Sequence, residues 1–181
     1  ISSETTILLS LITPLIGAFL ILSAWLYPNV RETITLITAS TLFYWVYTLF
    51  PEVMGGARPE YTLVEMFPGL SITFKVEPLG MAFAGIASFL WIVTSIYSIG
   101  YMRGHHEENQ TRFYFYFAIS LMAAIGVAFA ANMMTLFIFY EVLTLCTFPL
   151  VTHHGTEETK RAGRVYLGLL LGTSIGFQLL A

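Results

Sequence analysis

The sequence predicts an all-α integral membrane protein with six transmembrane helices and a short extracytoplasmic β-hairpin between helices 2 and 3. Of its 181 residues, 56% are hydrophobic and only 10% are charged, whereas soluble domains average about 25% charged residues. The hydrophobic residues form long continuous runs, and the mean hydropathy is +0.75. The net charge of −3 is small, so nothing in the composition indicates a nucleic-acid partner.

Six apolar segments have the length of membrane-spanning helices, which need roughly 17–25 residues to cross a hydrocarbon core about 30 Å thick. They cover residues 7–26, 34–50, 79–102, 113–131 and 133–152, and a stretch from near residue 165 to residue 181. Because the apolar residues are continuous rather than alternating, helices are predicted instead of a β-barrel. The junction between the fourth and fifth segments consists of Ala131 and Asn132, which predicts a tight antiparallel helix pair.

The long connection between the second and third segments, residues 51–78, predicts a β-hairpin. The stretches YTLVEMF and LSITFKVE alternate apolar and polar residues on either side of Pro68-Gly69, which is typical of a hairpin. Glu77 followed by Pro78 favours the start of the third helix. We therefore divide the chain into residues 1–78, with two helices and the hairpin, and residues 79–181, with helices 3–6.

The basic residues predict the orientation of the chain. The side with the first, third and fifth connections holds six of them, and the other side holds two. The six are Arg31, Arg103, Arg112, Lys160, Arg161 and Arg164, and the two are Arg58 and Lys75. Since cytoplasmic loops carry the excess of Lys and Arg, we expect a multi-pass protein of the inner, cytoplasmic membrane with an extracytoplasmic N-terminus and hairpin.

Glu141 is the only charged residue in the apolar stretch TLFIFYEVLTLCTFPL, residues 135–150. An acidic residue at the centre of a spanning helix costs about 2.5–3.5 kcal/mol on insertion scales, measured for aspartate. The side chain must therefore face protein or water rather than lipid. Two interpretations remain: a carboxylate that carries protons along an ion pathway, or a structural carboxyl group bonded to Thr144 or to a neighbouring helix.

The sixth segment has a basic start and a glycine face. Gly168, Gly172 and Gly176 recur every four residues, a spacing that lets two membrane helices approach closely. Arg164, one turn earlier, has two interpretations that stay open. It is either an interfacial charge that reaches towards water or a charge partner that changes the proton affinity of a nearby acid.

No motif indicates a cofactor or a metal site. The segments RGHHEENQTR and THHGTEETKR, residues 103–112 and 152–161, each combine a His pair with a Glu pair. Their spacing is not that of a metal-ligand set, so solvated loops are predicted. Cys146 is the only cysteine and nucleotide-binding glycine loops are absent from the sequence.

Three stretches resemble the antiporter-like membrane subunits shared by Mrp-type cation/proton antiporters (subunits A and D), complex I and membrane-bound hydrogenases. They are FKVEPLGMAF, YSIGYM and RFYFYFAISLMAAIGVAFAANMMTLFIFYEVLTL. Family members commonly have Phe-x-x-Asp-x-Leu before the third helix, matched by Phe74, Glu77 and Leu79 with Glu in place of Asp. Tyr140 stands where the family has an aromatic residue, often Trp, before the intramembrane glutamate.

The resemblance implies a proton- or cation-translocating subunit, with Glu141 as the proton-carrying carboxylate and Arg164 where many members carry a Lys or Arg. In the family this glutamate pairs with a lysine on a broken seventh helix, which this chain lacks. Residues 79–181 would hold the first half of a five-helix repeat of the kind common in transporters, so we expect a fragment or part of a split subunit.

The implied partners are other membrane subunits, the lipid bilayer, and protons or Na⁺. The antiporter branch is favoured, and membership of a redox-driven translocase such as an NADH:quinone oxidoreductase or a hydrogenase stays open. The alternative is a non-conducting assembly subunit of the same kind of complex.

Overall fold

The computed structural model describes residues 1–106, 110–152, 157–178 and 180. In this part of the chain, six helices surround a core and a two-stranded antiparallel sheet lies at one end. The elements are α1 (Ser3–Ser23), α2 (Pro28–Met54), β1 (Glu60–Phe67), β2 (Leu70–Lys75), α3 (Pro78–Gly104), α4 (Gln110–Ala128), α5 (Met133–Val151) and α6 (Glu157–Gln178). The predicted helical membrane fold with a hairpin between helices 2 and 3 is confirmed.

Helices α1 to α5 are long and apolar enough to cross a membrane. Over its described residues α6 is not in this set, and it begins at Glu157 rather than near residue 165. The stretch from Glu157 to Arg164, both included, contains five charged residues, so the first two turns of α6 are a polar extension of the apolar segment that the sequence marks. An apolar pattern cannot reveal such an extension.

Other boundaries also differ from the prediction; α1, for example, covers Ser3–Ser23 rather than residues 7–26. Helix α2 starts at Pro28 and ends at Met54. It starts earlier than predicted because proline suits the first helical position and because the polar residues that follow find partners in other helices. Helix α4 ends at Ala128, so the junction with α5 has the four residues 129–132 instead of two. These residues leave the helical conformation because they pair with the hairpin.

The bundle is held together by apolar side chains and by close approach at small residues. Helix α1 packs against α2 and α4, α2 packs against α3, and α5 lies between α4 and α6. Trp91, Phe74 and Phe129 are the largest fully buried side chains. A Cβ atom at Gly126 would collide with the ring of Phe139, so α4 and α5 meet closely only because this position is glycine.

The hairpin turns at Pro68 and Gly69, as predicted. Phe67 pairs with Leu70 at the turn, and Tyr61 pairs with Phe74 further along the strands. Gly69 has a φ of +88°, a conformation that glycine adopts without steric cost.

Strand β2 also pairs with the backbone between α4 and α5. The amide of Lys75 donates to the Phe129 carbonyl at 2.7 Å, and the amide of Ala131 donates to the Thr73 carbonyl at 2.9 Å. In turn, the Thr73 amide donates to Thr135 Oγ1 at 3.0 Å. The hairpin therefore fixes the start of α5, the helix that carries Glu141.

Asn132 completes this attachment and caps α5. Its Nδ2 donates to the Ser71 carbonyl at 2.7 Å, while its Oδ1 accepts from the Thr135 amide at 2.8 Å. One side chain thus satisfies an otherwise free helix-end amide and connects the helix to the sheet.

The opposite end of the bundle is joined by an ionic cluster of Arg31, Glu32, Arg103, Gln110 and Thr111, of which Arg31, Glu32 and Thr111 are buried. Arg31 Nη1 donates to Thr111 Oγ1 at 2.9 Å, and Nη2 donates to Gln110 Oε1 at 2.9 Å. Arg103 forms a bidentate pair with the Glu32 carboxylate, with Nε 3.0 Å from Oε1. The cluster connects α2 with α3 and α4.

We expect Thr135→Val to loosen the hairpin attachment. Thr135 is fully buried, and its replacement by an isosteric apolar residue leaves the Thr73 amide without its acceptor, at a cost of about 1–3 kcal/mol. The measurement is the free energy of unfolding in detergent, together with protease cleavage within residues 60–75. Thr41→Val is the matched control, because this exposed hydroxyl bonds only to the Ile37 carbonyl one turn earlier. Equal stability of the two variants would contradict the role of the attachment.

Candidate functional site

Glu141 faces helix α6. It lies eight residues after Met133, about 12 Å along α5, and its side chain is half-buried. The hydroxyl of Ser174, on α6, donates a hydrogen bond to Glu141 Oε1. Ser174 is only 7% exposed, so the hydrogen bond to the carboxyl group lies at the buried contact between the two helices.

The local structure of α5 directs the other polar groups away from Glu141. Thr144, considered as its partner, donates to the Tyr140 carbonyl at 3.1 Å instead. Thr147 donates to the Thr144 carbonyl at 2.9 Å. Because both hydroxyls are satisfied within their own helix, the side chain that bonds to Glu141 comes from another helix.

Ser174 is the residue that the sequence did not single out as a partner of Glu141. The signal that could have found it is the spacing of Leu167, Leu170, Leu171 and Ser174. Positions three and four apart share one helix face, and these four are the more buried ones in this part of α6. Thr173, its neighbour, is exposed and donates to the Leu169 carbonyl at 2.7 Å.

The glycine face of α6 points away from α5. At Gly168, Gly172 and Gly176 a Cβ atom would have no described neighbour within 4 Å. The α5–α6 contact instead uses Gly163, where a Cβ atom would collide with the Thr152 side chain. The predicted role of the three glycines in helix packing therefore stays a prediction about a further helix.

Arg164 lies apart from Glu141. It is exposed and ten residues before Ser174, which is about 15 Å along the axis of α6. It borders a surface pocket together with Glu157, Glu158, Lys160 and Arg161. Within the described ranges, no ion pair connects a cation to Glu141.

Part of the predicted His–Glu segments lies outside the described residues, namely 107–109 and 153–156. In the part that the structure does describe, no group of three or more His, Cys, Asp or Glu side chains is placed to hold a metal ion.

The sequence is similar to subunits of membrane complexes. A family model for the N-terminus of complex I (NADH-ubiquinone oxidoreductase) chain 5 matches residues 68–114, which include Phe74, Glu77 and Leu79. Glu141 and Arg164 lie beyond this match.

Three curated relatives illustrate the range. The chain is 27% identical to NAD(P)H-quinone oxidoreductase chain 5 of Picosynechococcus over 106 residues, or 57% of this chain and 16% of the relative. It is 24% identical to putative antiporter subunit mnhA2 of Staphylococcus saprophyticus, over 67% of this chain and 15% of the relative. It is 28% identical to Na(+)/H(+) antiporter subunit A1 of Staphylococcus aureus, over 61% and 14%. The chain thus spans a quarter or less of the length of these relatives.

A solved structure shares the fold. A chain of the membrane-bound sulfane sulfur reductase, an archaeal respiratory membrane complex, matches with a TM-score of 0.76 and 23% identity over 98% of this chain and 27% of that one. Together the comparisons confirm the predicted resemblance to antiporter-like membrane subunits.

We expect Ser174→Ala to change the infrared signature of the Glu141 carboxyl group, because its described hydrogen-bond donor is removed and carboxyl stretching frequencies respond to hydrogen bonding. The measurement is infrared difference spectroscopy on the purified protein, with Glu141→Gln used to identify the band. Thr173→Val, the adjacent exposed hydroxyl, should leave the band in place. A Ser174→Ala spectrum identical to that of the unchanged protein would show that the contact does not persist in the membrane.

Proposed function

We propose that this chain, which resembles the antiporter-like subunits of complex I and of Mrp antiporters, is part of a proton- or cation-translocating membrane subunit. The observation that carries the proposal is the half-buried carboxyl group of Glu141, directed at the Ser174 hydroxyl. A carboxylate in a spanning helix is energetically costly, and such residues usually mark ion pathways. Its contact with another helix keeps Oε1 directed at protein rather than at hydrocarbon.

In this proposal Glu141 takes up and releases a proton during each transport cycle. The neutral acid can donate a hydrogen bond and the carboxylate can only accept, whereas a serine hydroxyl can do either. Ser174 is therefore able to accompany both protonation states without leaving either one unsatisfied. This property suits a relay better than a purely apolar contact would.

The proton path needs groups from outside the described residues. Among the described residues, Ser174 is the only one whose side chain bonds to Glu141. In addition, only 11% of the residues in the membrane-spanning part of α5 are buried, against 33–44% for α1 to α4. We propose that further helices of a multisubunit membrane complex cover α5 and supply a basic group next to Glu141. Protons or Na⁺ are then the transported ions.

Arg164 is proposed as a more distant charge. It lies on the side with most basic residues, which we propose to be cytoplasmic under the positive-inside rule, with the N-terminus and hairpin on the other side. At about 15 Å from Ser174 along α6 its effect on Glu141 is long-range, and its exposure implies screening by salt.

A non-conducting assembly subunit is the second candidate. It is favoured by the open glycine face of α6, where nothing described lies within 4 Å of the missing side chains. Faces of this kind bring helices together in membranes. In that case Glu141 would be a structural contact only.

We expect Glu141→Gln to abolish proton translocation while assembly persists, because glutamine keeps the shape and the hydrogen bond but does not titrate. The measurement is the pH gradient formed by membrane vesicles that contain the intact complex, with co-purification of its subunits as the assembly test. Glu158→Gln, an exposed acid at the start of α6, is the matched control and should transport normally. Unchanged transport by Glu141→Gln would refute the carrier role, and loss of assembly would favour the second candidate.

For Arg164→Gln we expect slower transport than in the unchanged protein, by about twofold to fivefold at low ionic strength. The difference should shrink as salt screens the Arg164 charge of the unchanged protein. Arg161→Gln, a neighbouring exposed cation, controls for general surface charge. If the two variants behave alike at every salt concentration, Arg164 has no particular link to Glu141.

A further inference from the structure

A cationic cavity lies at the end of the bundle opposite the hairpin. It has a volume of about 510 Å³ and is lined by Trp25, Pro28, Arg31, Arg103, His106, Gln110 and Thr111. We propose that it binds the phosphate of an anionic phospholipid headgroup. The proposal is independent of ion transport through Glu141.

Arg31 is the residue of this site whose side chain is already fixed in place. It is 4% exposed, and its two terminal nitrogens are held by Thr111 and Gln110, each at 2.9 Å. Its ring neighbour is Tyr114, whose centroid lies 5.4 Å from the guanidinium carbon. The Nε–H of Arg31 has no hydrogen-bond partner in the described part of the chain, so a fixed and buried cation retains one donor.

Among the residues around the cavity that the structure describes, the positive charges outnumber the negative ones. Arg31 and Arg103 bring two positive charges, and Glu32 brings one negative charge that Arg103 already engages through two hydrogen bonds. The distance from Arg31 to Glu32 is longer, at 4.0 Å. A buried charge is costly without a partner, so an anion in the cavity would satisfy the remaining positive charge.

Helices α2 and α4 add to this attraction. Helix α2 begins beside the cavity, at Pro28, and the described part of α4 begins there at Gln110. The N-terminal end of a helix carries a partial positive charge that favours anions. The phosphate oxygens of the headgroup would lie near these two helix ends and near two guanidinium groups.

The surroundings favour a lipid over a free phosphate ion. Trp25 is 57% exposed, and beside it Leu26 and Tyr27 are 78% and 65% exposed. Exposed Trp and Tyr at helix ends mark the membrane–water interface, where apolar side chains can contact acyl chains. Basic pockets between membrane helices are also the usual site for anionic headgroups.

The test compares lipid affinity in a charge series. Native mass spectrometry of the intact protein or its complex measures binding of phosphatidylglycerol and phosphatidylcholine. Arg103→Gln should bind phosphatidylglycerol about fivefold more weakly and Glu32→Gln about fivefold more tightly, since one basic charge near the surface is worth about 1 kcal/mol. The double variant should return to the original affinity, and phosphatidylcholine binding should not follow the series. Lys160→Gln, an exposed cation on the same side of the membrane, is the control and should have no effect.

Other results would contradict the proposed lipid site. Equal binding of the two lipids, or an affinity that does not follow the charge series, would overturn the site. If inorganic phosphate displaces phosphatidylglycerol and raises the thermal stability as much as the lipid does, the cavity is a free-anion site and not a lipid site. Glu32→Gln keeps both arginines, so it tests the proposal even if Arg103→Gln fails to fold.

Discussion

The absence of water from the hydrocarbon core governs this structure, because every polar group there must find its partner within the protein. The spanning segments satisfy their backbones as helices, and their hydroxyl groups bond to carbonyls of the preceding turn. Ser88 Oγ lies 2.7 Å from the Ala84 carbonyl, and Ser120 Oγ lies 2.8 Å from that of Tyr116. Such hydroxyl groups are satisfied within their own helix. In the described part of α5, the polar side chain that bonds to a neighbouring helix is that of Glu141.

The same constraint places the non-helical and ionic contacts at the two ends of the bundle. At one end, backbone pairing between β2 and residues 129–132 joins the hairpin to α5. At the other end, Arg31, Glu32 and Arg103 join three helices through charged hydrogen bonds. The two ends thus use different chemistry. The hairpin end fixes geometry through directional backbone bonds, whereas the described part of the ionic end uses charged side chains, two arginines and one glutamate.

Glu141 depends on both the hairpin end and α6. The cap of Asn132 and the Thr135–Thr73 bond set where α5 begins, and the close approach at Gly163 sets where α6 lies. Those contacts together bring Ser174 to the carboxyl group. A position on α6 one residue away, that of Thr173, is exposed, so the orientation of α6 about its own axis decides which hydroxyl meets the carboxyl group.

The sequence by itself determined the membrane fold, the six helices, the hairpin with its Pro68-Gly69 turn, and the isolation of Glu141 among apolar residues. These features are local, since they follow from run length, alternation and turn residues. Only the tertiary structure decided that Ser174 rather than Thr144 meets Glu141, that Gly126 and Gly163 rather than the evenly spaced glycines of α6 make close contacts, and that Arg31 lies buried instead of at the surface. Each of these depends on which helices are neighbours and how they are rotated, and no single segment encodes that relation.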